Sequence, residues 1–165
     1  MKGRLLAINH CIIMWGATLY AGVLWALHFF WFPSWKHLTV ANYYEQFIPQ
    51  TDAATKFFTV WVPVTFVCLL IMAWTERKTR LRWVPWAGLA FLGISTGVGT
   101  MLIIPINKFL ATRITDQAVL TERMERWMFL NNIRWVTETA AWVVMAYYFV
   151  AKGRLASRIE EDMAR

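Results

Sequence analysis

Residues 131–151 read NNIRWVTETAAWVVMAYYFVA, an apolar run that carries Arg134 and Glu138 one helical turn apart. At bilayer depth an ionisable side chain is expensive, so it faces protein or a water-filled cavity rather than lipid. Asn131, Arg134 and Glu138 follow a three- and four-residue spacing and share one helix face, which continues to Trp142 and Met145. This face is the chain's best pointer to a working site. It also fixes the medium in which the rest of the chain is read.

Three further apolar runs precede it, giving approximate spans at 8–32, 57–74, 84–105 and 129–151. Each lies near the ~20 residues needed to cross a hydrocarbon core. With 58% hydrophobic residues and 11 Trp in 165, the composition fits neither a soluble domain nor a disordered chain. The expected fold is an all-α membrane protein. Its single domain, 1–165, is a four-transmembrane-helix antiparallel bundle, with 152–165 as a charged cytoplasmic tail. The first span is expected to be retained. Lys2 and Arg4 resemble the basic start of a signal peptide, but the apolar stretch is longer than the ~7–15 residues of such a signal and no A-x-A-like site follows.

The net charge of +7 does not point to nucleic acid, because the basic residues border the spans. Lys2, Arg4, Arg77, Lys78, Arg80, Arg82, Lys152, Arg154, Arg158 and Arg165 fall on one side, which the positive-inside rule makes cytoplasmic. Both termini and the Thr75–Trp83 connection then lie inside, and the two longer connections lie outside, in a bacterial inner membrane. Belts of Trp and Tyr mark the two interfaces. Cys11 and Cys68 sit in different helices near opposite ends and are read as small buried hydrophobes rather than a disulfide.

Helix 1 ends in Pro33-Ser34-Trp35-Lys36-His37-Leu38 and helix 3 in Pro105-Ile106-Asn107-Lys108-Phe109-Leu110. Two duplicated helical hairpins would give this shared P-x-x-K-x-L pattern. Coincidence is the alternative, since proline commonly follows a helix end. The outer connections carry Tyr43, Tyr44, Phe47 and Ile48 in one case and Leu120, Glu122, Met124 and Arg126 in the other, so a short helical element is expected in one or both. Glu122 and Arg126 have ion-pair spacing. Gly93 and Gly97 form a G-x-x-x-G that suits close helix packing, within the bundle or in a homo-oligomer.

Arg134 is suited to clamping an anionic or carbonyl oxygen, with Glu138 or His28 as proton acceptor. The bland alternative is a structural Arg134–Glu138 ion pair. Asn107, Asn131, Tyr20, Trp127 and Trp135 are candidate substrate contacts, and Tyr20 needs a partner for its hydroxyl in mid-helix. His28, His37 and Glu45 offer two imidazoles and a carboxylate to a single transition metal. Helices 2 to 4 contain no histidine, which argues against a bis-histidine haem between helices. His10 lies ~27 Å along the helix from His28, too far to share a metal with it. No G-x-G-x-x-G, P-loop, CxxC, CxxCH or G-x-S-x-G is present, so nucleotide chemistry and covalent haem attachment have no support.

Tyr20-Ala21-Gly22 running to Pro33, the Pro105–Leu110 stretch and Trp127…Asn131-Asn132-Ile133-Arg134 together resemble the anthrone-oxygenase-like family of small four-helix membrane proteins. The resemblance implies a four-helix integral membrane protein of a family in which some members are linked to oxygenation of polycyclic aromatic anthrones without an evident cofactor motif and many others have no known function, with Asn107, Asn131 and Arg134 as the matching positions. The leading expectation is therefore a membrane oxidoreductase that admits a hydrophobic, aromatic small molecule at the outer side of the bundle, with either no cofactor or one metal. Two alternatives stand beside it: a non-enzymatic binding, transport or accessory subunit, and a small metal-binding membrane protein using His28 and His37.

Overall fold

A computed structural model describes residues 2–163, with side chains described for 3–154; Lys2, Arg158 and Arg165 of the basic set therefore lie outside the described side chains. Among the described residues the chain is all helical and contains no strand. Helix α1 comprises Lys2–Ala26, a π-helical turn at Leu27–Trp31 and a last turn at Phe32–Trp35. Helix α2 is Tyr43–Glu76. Helix α3 comprises Val84–Val98, a second π turn at Gly99–Ile103 and Ile104–Leu110. Helix α4 is Gln117–Met163. Helix α1 packs on α2 and α4, and α3 packs on the same two.

Three helices, α1 to α3, are long and apolar enough to cross a membrane. Their outward faces carry Trp15, Phe30, Val60, Val67, Trp74 and Met101, all exposed. Water would not tolerate so much contiguous apolar surface. Helix α4 falls short of the same composition because Asn131, Asn132, Arg134 and Glu138 interrupt it.

The proline stretches do not end their helices. Phe32 N–H bonds to Leu27 O, and Ile104 N–H bonds to Gly99 O, each closing a π turn just before Pro33 or Pro105. Proline lacks an N–H and crowds the carbonyl four residues back. A wider turn immediately upstream moves that carbonyl aside, so the helix continues. Both members of the suspected repeat carry the same device.

The first outer connection is also shorter than expected. Residues 43–56 are not a separate capping element but the first turns of α2, which runs straight through Pro49 and Pro63. The remaining connections are knit together. Tyr43 Oη donates to Leu110 O at 3.0 Å, and Gln117 Nε2 donates to Leu38 O at 3.2 Å. Asp116 Oδ1 accepts from Ala118 N at 2.8 Å and so caps α4. Glu122 and Arg126 form no ion pair, whereas Asp52 and Lys56 on α2 do, at 2.6 Å.

Two apolar clusters result. One, at the end bearing Pro33 and Pro105, gathers Phe32, Trp35, Tyr43, Phe47, Leu110 and Trp127. The other, towards the termini, gathers Ile13, Leu24, Leu69, Met72, Met145 and Tyr148. At its far end buried Glu76 accepts hydrogen bonds from Tyr148 Oη and Lys152 Nζ, both at 2.7 Å. Helix contacts in this second cluster are close at Gly16 and Gly88. By contrast, a Cβ at Gly93 or Gly97 would meet nothing within 4 Å, so the G-x-x-x-G does not serve packing within the bundle.

Candidate functional site

Between the two clusters lies a cavity of about 600 Å³, within the size range of small-molecule sites. All four helices contribute. Helices α1 and α3 present their π turns and the residues flanking them: Leu24, Leu27, Trp31 and Trp35 on one side, Thr96, Gly99, Ile103 and Asn107 on the other. Helix α2 presents a threonine ladder. Thr51, Thr55 and Thr59 donate to Phe47 O, Thr51 O and Thr55 O, one turn back, at 3.1, 2.7 and 2.7 Å. Their hydroxyl hydrogens are thus committed to backbone, leaving methyls and lone pairs for the cavity.

Helix α4 supplies the polar end. A continuous network runs along it. Trp127 Nε1 donates to Asn107 Oδ1 at 2.7 Å, and Asn131 Nδ2 donates to Trp127 O at 2.9 Å. Arg134 Nη1 then donates to Asn131 Oδ1 at 2.7 Å, and Arg134 Nη2 donates to Tyr20 Oη. Asn131 is 1% exposed, and its amide bridges the Trp127 carbonyl and the guanidinium. Five residues singled out in the sequence, Tyr20, Asn107, Trp127, Asn131 and Arg134, therefore border one space.

The guanidinium is held by neutral partners. Arg134 and Glu138 form no ion pair, and no carboxylate borders the cavity among the described residues. Arg134 Nε is buried with no hydrogen-bond partner. A part-buried guanidinium with an idle, buried Nε and no carboxylate in contact favours anything that supplies an acceptor. Tyr20 reinforces this. Its oxygen already accepts from Arg134, so its own hydrogen is free to be donated. Gly99 lies beside it: a Cβ there would stand 3.7 Å from Arg134 Cζ and Nε, an ordinary contact over the guanidinium face.

Other expected site residues fall elsewhere. Glu138, 1% exposed, does not reach the cavity; it borders a separate small void behind Tyr20. His28 points to the α1–α4 seam, where Nδ1 pairs with Asn132 Oδ1 at 2.8 Å and the ring stacks on Trp135 at 4.2 Å. Trp135 is thereby also turned away from the cavity. These placements correct the expectation that His28 and Trp135 face a substrate there. The metal triad is corrected too. Among the described residues no three His, Cys, Asp or Glu side chains converge as ligands, so His28, His37 and Glu45 are not brought together. Spacing had matched a ligand set, but His28 faces α4, while His37 follows α1 and Glu45 lies on the first turn of α2.

Sequence reasoning missed Gly99, Trp31 and the whole α2 wall. The threonine ladder at 51, 55 and 59 was the available sign, since four-residue spacing through Lys56 marks a continuous helix face. Comparison with family models, with curated proteins and with solved structures finds no match to this chain.

Proposed function

We propose that this is an integral membrane protein that binds a flat, apolar small molecule through an anionic or carbonyl oxygen docked on Arg134 and Tyr20. The observation that carries this reading is the part-buried guanidinium, in contact with no carboxylate, at the edge of a largely apolar cavity. In this reading α4 is the fourth span of an antiparallel bundle. Its polar face turns inward, while Val136, Val143, Tyr147 and Val150 are exposed to lipid. The termini lie in the cytoplasm and the cavity opens towards the outer half of the inner membrane, following the basic residues that flank the spans.

Binding is tested with anthraquinone-2-sulfonate, a flat aromatic with a permanent negative charge. Trp31, Trp35 and Trp127 border the cavity, so quenching of tryptophan fluorescence in the detergent-purified protein reports occupancy. Saturable quenching is expected. Arg134→Gln weakens it by roughly tenfold to a hundredfold, the worth of a hydrogen bond to a charged group. Non-saturable quenching, or equal affinity in Arg134→Gln, refutes the reading.

A second reading, oxygenation, follows from the same two donors and the resemblance to the anthrone-oxygenase-like family. Arg134 and Tyr20 are placed to hold the oxygen of an enolate formed when an acidic ring methylene loses a proton. Dioxygen then converts that methylene to a carbonyl and releases water. Neither Glu138 nor His28 borders the cavity, so this reading needs the proton to leave through Tyr20. Aerobic conversion of an anthrone to the anthraquinone, lost in Arg134→Gln and in Tyr20→Phe, supports it. Tight binding with no conversion leaves the protein a binding subunit.

A further inference from the structure

Behind the ligand cavity the bundle encloses a second space of about 20 Å³, room for a single water molecule. Glu138 borders it, with Oε1 buried and lacking any hydrogen-bond partner. Trp61 borders it as well, with an indole N–H in the same condition. Thr65 adds a hydroxyl. A single water there would accept from Trp61 Nε1 and pair with Glu138 Oε1, while the Thr65 hydroxyl, which already donates to Trp61 O, is open only as an acceptor. Such a water serves either form of the carboxyl, donating to the carboxylate or accepting from the acid.

Tyr20 borders both spaces. On the cavity side its oxygen accepts from Arg134 Nη2. Behind it, the Ser95 hydroxyl donates to the same oxygen at 3.4 Å and lies beside the Glu138 carboxyl. Ser95 is itself completely buried. Arg134, Tyr20, Ser95 and Glu138 therefore form one polar chain from the ligand cavity to the void.

Few charges act on Glu138. Its own helix contributes Arg134, one turn away and about 6 Å along the axis. Helix α1 contributes Tyr20. Helices α2 and α3 present Trp61, Thr65 and Ser95, none of which carries a charge. With Glu138 ionised the empty site is neutral overall: a guanidinium and a carboxylate that balance without touching. An anion docked on Arg134 breaks that balance and leaves one surplus negative charge in a medium that penalises it heavily.

We propose that Glu138 is the proton-binding half of a proton-coupled anion site, so that an apolar anion docking on Arg134 brings a proton onto Glu138. This rests on the anion-binding reading above. The coupling is reciprocal, so protonating Glu138 tightens the anion site by the same factor.

The test uses anthraquinone-2-sulfonate, whose sulfonate does not titrate in the working range, added to weakly buffered, detergent-purified protein with a pH indicator. Wild type is expected to take up about one proton per ligand bound, and its affinity falls as pH rises, approaching about tenfold per pH unit. Glu138→Gln takes up none and binds with a flat pH profile at the wild type's low-pH affinity. Difference infrared spectroscopy shows a protonated-carboxyl band on binding in wild type and not in Glu138→Gln. Binding by wild type without proton uptake, or the same uptake in Glu138→Gln, overturns the coupling while leaving the anion site intact. Should Glu138→Gln fail to fold, the wild-type proton count and infrared band decide alone. No binding by wild type at all overturns the anion reading and this inference with it.

Discussion

Replacing Gly99 by alanine separates stability from binding at a single methyl group. Gly99 lies in the α3 π turn with φ −59° and ψ −53°, a conformation alanine adopts freely. Its added Cβ would lie 3.7 Å from Arg134 Cζ and Nε and 3.9 Å from Nη2, all ordinary van der Waals contacts. The helix therefore gains roughly 0.5–1 kcal/mol from the lost backbone freedom of glycine. For a chain of this size that raises the midpoint of thermal unfolding by a few degrees at most, up to ~2–4 °C. The same methyl lies over the guanidinium face on the cavity wall, whereas the N–H donors point in the plane, so it acts by crowding a ligand away from the fork. A hydrogen bond to the charged donor lost in this way costs about 1.5–3 kcal/mol, which is tenfold or more in affinity. Gly99→Ala should thus melt at or above wild type while binding anthraquinone-2-sulfonate at least tenfold more weakly. Thermal unfolding and a quenching titration on one preparation measure both. Wild-type affinity in this variant would show that the ligand does not approach across Gly99, and the placement of the anion on the cavity face of Arg134 would fall.

Two further substitutions test the packing around the site. A Cβ on Gly16 would stand 2.5 Å from Thr65 Oγ1 and 3.1 Å from Trp61 Nε1, so Gly16→Ala should cost about 1–3 kcal/mol as an overpacked contact, whereas Gly93→Ala should stay within about 1 kcal/mol of wild type. Thermal unfolding of the two variants side by side decides, and equal stability refutes the close α1–α2 approach. At the far end, Glu76→Ala removes the acceptor of the buried Tyr148 hydroxyl, while Lys152, whose side chain is 48% exposed, keeps water. The expected loss is about 1–3 kcal/mol, smaller for Glu76→Gln, read from unfolding in mixed micelles. A change below about 0.5 kcal/mol in Glu76→Ala would show that this network is ornamental to stability.

Polar residues inside apolar runs were the most legible part of this chain. Arg134, Asn131 and Tyr20 stand out because hydrocarbon gives them nothing to bond, and the structure draws them to one cavity. Helix ends were less legible. Pro33 and Pro105 read as terminators because proline usually is one, yet the π turns absorb both. Tyr43 to Lys56 read as a connection because its composition is mixed, although its threonines keep helical register. Direction was least legible of all. His28 and Glu138 sit at depths consistent with a site, but a rotation about a helix axis decides which neighbour they meet. One residue met Trp135 and Asn132, the other a void.

The shared π turns explain why a cavity forms here and why it is lopsided. Leu24, Leu27, Trp31 and Trp35 on α1 occupy the same register relative to Pro33 as Thr96, Gly99, Ile103 and Asn107 do relative to Pro105 on α3. A π turn carries an extra residue and widens the helix, and residues of both turns line the cavity. The four α1 positions are large and apolar and make an aromatic wall. Three of the four α3 positions are small or polar. Gly99 stands where α1 has Leu27 and leaves the space that the guanidinium occupies, and Asn107 stands where α1 has Trp35 and anchors Trp127. If the halves arose from one hairpin, the departure from symmetry lies in the residues that turn a packing defect into a site with an apolar side and a charged end. Reversing it by Gly99→Leu should then close the charged end by displacing Arg134 while leaving the helical fold in place. Quenching by anthraquinone-2-sulfonate should vanish with the circular dichroism unchanged, and retained quenching would show that the asymmetry between the halves has nothing to do with binding.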